Sequence, residues 1–139
     1  MTTPQDLSAE LYWLTLTLLM SAFFWMPVIF NRIREQNLWP ALLNPDPDPQ
    51  ARNLWAVRAD KAHKNAVENL VLFAPLVLVI EATHMANAAT ASACMIYFAA
   101  RLAHYVIYVL GVPLIRTVAF AIGFGVQVFL ALTILAAAT

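Results

Sequence analysis

Cysteine, glycine and charge are all scarce in this 139-residue chain, and each scarcity removes a class of explanation. The single Cys94 leaves no partner for an intrachain disulfide. Lying inside an apolar run, it reads as a small buried hydrophobe rather than a nucleophile. Glycine occurs only three times, and no Gly-rich phosphate loop can be assembled. His63, His84 and His104 are dispersed with no thiolate cluster beside them, which argues against a metal site. Charged residues make up 12% of the chain and cancel formally, so nothing provides an electrostatic grip on nucleic acid or an anionic surface.

What the chain has in quantity is apolar residues, 62% of the total, with a positive mean hydropathy. That is the profile of a membrane protein. A lipid-spanning helix needs about 20 mostly apolar residues, and four stretches qualify: about 11–30, 66–82, 88–110 and 115–137. The first is flanked by Asp6 and Glu10 rather than a basic segment and is too long for a signal-peptide core, so it reads as a retained span. The second is preceded by a polar helical extension from about Leu54 or Trp55. A "GVP" turn at Gly111 to Pro113 separates the last two. The long connection after the first span contains "NPDPDPQ", whose alternating prolines favour an extended polar loop. The expected fold is therefore an all-α integral membrane protein, a four-transmembrane-helix bundle forming a single domain over residues 1–139.

Orientation follows from the basic residues, which are enriched in cytoplasmic loops. Arg32, Arg34, Arg52, Arg58, Lys61 and Lys64 cluster around the first connection, the "ATHMANA" hairpin has none, and Arg116 lies beside the last turn. Both termini are thus expected outside. Trp39 and Trp55 sit in the basic connection, as interfacial tryptophans do.

Within the second span, Lys61, Lys64, Asn65, Glu68 and Asn69 recur at spacings of three and four and form one polar stripe. Arg101, His104, Tyr105 and Tyr108 repeat the pattern in the third span, with Arg101 about 15 Å of helix rise from Gly111. A lone charge at that depth costs several kcal/mol. Glu68 and Arg101 are therefore expected to face protein or a wet cavity, and to pair with each other. One reading is a structural ion pair that locks the two spans together. The surplus of two Lys, two Asn, a His and a Tyr favours the other, a polar pocket for a small ligand bearing carboxylates and an amine. His104 could equally bond a neighbouring helix, and Arg116 could merely anchor the fourth span at the interface.

These residues resemble the MAPEG family, membrane-associated proteins of eicosanoid and glutathione metabolism. The family reads Arg, three residues, Asn, two residues, Glu at the start of its second helix, then an apolar run with Pro; here Lys61, Asn65, Glu68 and Pro75 stand at those places. "ARLAHYVIYVLGVPLIRTVAF" is similar to the prostaglandin synthase branch in its third helix and following turn. Phe120 stands where that branch has a Tyr. The resemblance implies a homotrimer with glutathione, as cosubstrate, held between subunits near the cytoplasmic face by Arg32, Lys61, Lys64, Asn65, Glu68, Arg101, His104, Tyr108 and Thr117. It implies that Arg116 is the catalytic group, holding the glutathione thiol as thiolate. The function expected is a membrane glutathione transferase, with possible peroxidase action, on lipophilic electrophiles or lipid hydroperoxides. The alternative is a non-catalytic MAPEG protein that binds membrane lipid.

Overall fold

The computed structural model describes residues 6–43 and 53–137. The "NPDPDPQ" segment and Arg52 lie outside the described residues. Six helices follow in order: α1 (Ala9–Phe23), α2 (Met26–Gln36), α3 (Leu38–Leu43), α4 (Leu54–Ala82), α5 (Ala88–Leu110) and α6 (Ile115–Ala136). Four helical stretches are long and apolar enough to cross a membrane, Ala9–Gln36, Leu54–Ala82, Ala88–Leu110 and Ile115–Ala136. No strand occurs among the described residues.

Each long helix turns one stripe inward at spacings of three and four. On α4 the buried stripe is Ala56, Ala59, Ala62, Ala66, Asn69, Phe73, Val77 and Ile80. Four alanines at its start allow neighbouring backbones to approach closely, which is how helices associate when lipid is as apolar as a side chain. On α5 the stripe is Thr90, Ala93, Cys94, Tyr97, Ala100, Arg101, His104 and Tyr105. This helix is the centre of the bundle, packing against α1, α4 and α6. Phe73 and Tyr97 are fully buried and stack with ring centroids 3.7 Å apart. The outward faces are apolar along every span, including Leu19, Val71, Leu72, Val106, Phe124 and Leu132. That inversion is what a hydrocarbon surround permits.

The first span is broken in the middle. Trp25 and Pro27 begin a new helix: the Val28 N–H goes to the Trp25 carbonyl (3.1 Å) instead of the carbonyl of Phe24. The freed Phe24 carbonyl is satisfied by Tyr105, whose hydroxyl donates to it at 2.9 Å while the two rings stack at 3.7 Å. Tyr105→Phe should leave that carbonyl unpaired away from water and destabilise the subunit by about 1–2 kcal/mol. Unfolding in mixed micelles would measure it; an unchanged midpoint would mean that the break is held by packing alone.

The two ends of the bundle are tied differently. At one end Glu10, 3% exposed, accepts hydrogen bonds from the Thr90 hydroxyl and the Asn87 N–H (3.2 Å), placing a carboxylate at the start of α5. Glu81 accepts from Ser8 at the same end. The other end carries the basic residues and the α5–α6 turn.

Candidate functional site

At the basic end α5 stops at Gly111, which takes φ +78° and is the left-handed residue that closes the helix. The Val112 N–H returns to the Ile107 carbonyl (3.2 Å), Pro113 blocks continuation, and α6 starts at Ile115. This turn sets Tyr108 and Arg116 face to face, the guanidinium carbon lying 4.7 Å from the ring centroid. Arg58 of α4 braces the turn from below, its Nε donating to the Val109 carbonyl at 2.9 Å. A Cβ on Gly111 would lie 2.8 Å from that guanidinium, so the contact depends on glycine.

Deeper in the bundle Arg101 is only 2% exposed. Its Nη1 donates to Asn65 Oδ1 (3.2 Å) and its Nη2 to the Phe120 carbonyl (3.4 Å), while the Tyr97 and Phe120 rings lie 5.4 and 5.2 Å from its guanidinium carbon. Its Nε is buried without a partner. His104, also buried, makes no hydrogen bond to a neighbouring helix; its ring lies 5.5 Å from Tyr108 and 6.1 Å from Phe120. Asn65, Arg101, Phe120, His104, Tyr108 and Arg116 thus form one continuous chain of contacts across α4, α5 and α6.

Other expected site residues do not join this chain within the subunit. Lys61, Lys64, Glu68 and Thr117 are exposed and Arg32 is half-buried on α2. Lys64 pairs instead with Asp60 (2.7 Å), one turn earlier on its own helix.

Two expectations need correction. The polar stripe of α4 is not one face: Asn69 is buried in the core, its Nδ2 donating to the Asn65 backbone carbonyl (2.9 Å) while Gln127 Nε2 donates to the Asn69 backbone carbonyl (3.0 Å), whereas Lys61, Lys64 and Glu68 turn outward. The alanines take the inward face, and Asn69 continues their stripe toward Phe73. The second correction follows from the first, since an outward Glu68 forms no ion pair with the inward Arg101. The cation is surrounded by an amide, a carbonyl and two rings instead.

Sequence reasoning used Arg58 only to set orientation and missed its structural part. Its place three residues before Lys61, on the polar extension of α4, was the available signal. The Asn53 side chain, which donates from Nδ2 to Asn31 Oδ1 (2.9 Å), was likewise missed; it ties α2 to the start of α4.

An apolar groove of about 440 Å³ runs between α5 and α6, lined by Ala89, Ala93, Ile96, Ile122, Val126 and Phe129 among others. It contains none of the polar chain residues. Comparison with curated proteins and with solved structures finds no match. A MAPEG family model matches residues 11–136, in keeping with the four apolar helices, and the chain belongs to the MAPEG family.

Proposed function

We propose that this protein is a glutathione-dependent membrane enzyme that conjugates lipophilic electrophiles or reduces lipid hydroperoxides. The family includes glutathione transferases and related enzymes. The observation that carries the reading is Arg116. It sits in the first turn of α6, half-buried on the Tyr108 ring, with no carboxylate of the described residues paired to it. A guanidinium and a helix N-terminus act together there on any nearby anion.

A thiol with a pKa near 8.5 is only a few per cent thiolate at neutral pH, and an adjacent cation lowers that value by about 1–3 units. The thiolate sulfur then attacks the electrophilic carbon of an aromatic halide, forming the C–S bond as halide leaves. With a hydroperoxide it attacks the distal oxygen, and the O–O bond breaks to give the alcohol. A second glutathione then reduces the sulfenic product, yielding glutathione disulfide and water.

In this reading Arg116 is catalytic. Arg32, Lys61, Lys64, Asn65, Glu68, His104, Tyr108 and Thr117 bind the rest of the tripeptide at a boundary between subunits of a trimer, with the basic end in the cytoplasm. Support for a boundary comes from Glu68, exposed on a helix that is uncharged from Asn69 to Ile80. A carboxylate facing hydrocarbon costs several kcal/mol, and a second copy of the chain would cover it.

The α5–α6 groove favours a second reading, a lipid-binding protein without turnover. Calorimetry with glutathione on the purified protein in detergent, followed by assays with an aromatic halide and a lipid hydroperoxide, separates the two. Saturable binding with thioether or alcohol formation is expected. Absence of glutathione binding would overturn the enzyme reading.

A further inference from the structure

We infer that Arg101 is a positioning residue that acts through Asn65, holding its amide so that only the NH2 group is offered to the ligand, which selects a carboxylate at that point. The inference rests on the glutathione reading above for the identity of the ligand.

An asparagine amide can ordinarily turn over to present either its oxygen or its nitrogen, and it suits donors and acceptors alike. Asn65 does not have that freedom. A guanidinium has donors and no acceptor, so the Asn65 atom 3.2 Å from Arg101 Nη1 must be the oxygen. The nitrogen then faces away from Arg101, and it has no hydrogen-bond partner among the described residues. Asn65 is half-buried, between the core face and the outward Lys61, Lys64 and Glu68.

Arg101 itself cannot turn away. Rings lie near its guanidinium from α5 and α6 (Tyr97 and Phe120), Nη2 is held on the Phe120 carbonyl, and α6 closes over it at Gly123. A Cβ at Gly123 would lie 2.6 Å from Nη2 and 2.8 Å from Nε. The glycine is therefore the socket that lets the guanidinium reach Asn65. The Arg101 Nε is buried without a partner among the described residues, so the guanidinium is held through Nη1 and Nη2 alone.

The ligand consequence is one of sign. An NH2 group bonds a carboxylate more strongly than a neutral carbonyl, by about tenfold in affinity. An amide free to turn would match a ligand amide with both of its atoms and lose that preference.

The test compares glutathione with its two monoamides, one at each carboxyl group, by calorimetry. The parent protein should prefer glutathione over one of the monoamides by about tenfold. Gly123→Ala retains the Arg101 charge but displaces the guanidinium, and Arg101→Gln replaces a pure donor with a group that also accepts. Both should bring the ratio close to one. Arg101→Lys, still a pure donor, should keep part of it. A ligand-free arm reads the contact directly: the Asn65 side-chain NH2 resonance, assigned by its loss in Asn65→Asp, should move in Gly123→Ala. An unmoved resonance, or a ratio unchanged in both Gly123→Ala and Arg101→Gln, overturns the inference. If the parent protein fails to bind glutathione, the functional reading falls, and the resonance alone still decides whether Arg101 orients Asn65.

Discussion

Arg116→Ala should lower kcat/KM for an aromatic halide by about 10- to 30-fold at pH 7, with a much smaller loss at pH 9. The pH dependence is the diagnostic part. With the thiol of bound glutathione lowered by about 2 units, most of it is ionised at neutral pH; without the cation only a few per cent is. Above the ordinary thiol pKa both forms are thiolate, and the advantage disappears. The ultraviolet thiolate band of bound glutathione should shift to higher pH by the same amount. Binding should weaken only modestly, since Asn65 and Tyr108 remain to hold the peptide. Arg116→Lys should retain part of the effect, because the charge persists while the planar fork is lost. An unchanged thiolate band and the parent rate in Arg116→Ala would make Arg116 an interfacial anchor stacked on Tyr108, and would favour the lipid-binding reading.

Arg101→Met should separate stability from binding. Had Arg101 been paired with Glu68 inside the subunit, removing it would leave a buried carboxylate and cost about 3–5 kcal/mol. The structure has no such pair. Among the described residues, the guanidinium lies 2% exposed with an unpaired Nε and no acid against it. Its desolvation is only partly offset by the Asn65 oxygen, the Phe120 carbonyl and two rings. An unbranched apolar side chain of similar length should thus leave the ligand-free protein as stable or about 1–3 kcal/mol more stable, while glutathione affinity falls by about tenfold or more. Unfolding in mixed micelles and calorimetry measure the two effects. A double-mutant cycle with Glu68→Gln should show additivity within about 0.5 kcal/mol. Clear destabilisation with strong coupling would mean that Glu68 of another copy reaches Arg101 in the assembly.

The spans were legible because a bilayer imposes a length and a polarity that few other sequences satisfy: the stretches 66–82 and 88–110 fall within α4 and α5, 115–137 matches α6 to within one residue, and 11–30 covers α1 and the start of α2 without showing the break between them. The distance of Arg101 from the Gly111 turn was legible too, since helix rise is fixed and α5 runs unbroken from Ala88 to Leu110. Periodicity could place Lys61, Lys64, Asn65, Glu68 and Asn69 near one another but could not choose the inward direction. That choice was made by Ala56, Ala59, Ala62 and Ala66, whose small side chains carry little hydropathy signal yet permit the closest helix contact. The break at Phe24 was hidden for another reason. Pro27 is compatible with an early position in a helix as well as with an interruption, and only the reach of Tyr105, 81 residues away in sequence, distinguishes them. Arg58 looked like loop charge because its partner is a backbone carbonyl, which no sequence motif marks.

The interruption in the first span also divides it mechanically. Its first part, α1, rests on α4 and α5, with Leu14 in the core and Glu10 fastened to the start of α5. Its second part, α2, contacts α4 and is tied to the head of that helix by the Asn31–Asn53 bond. The Tyr105–Phe24 stack is the joint between them. A small tilt of the α4 extension would therefore carry α2, and Arg32 with it, as a lever turning on that joint, while α1 stayed in place. Arg32 and Lys61 would travel together, so a molecule touching both would meet a pair of charges that shift in concert rather than two independent ones.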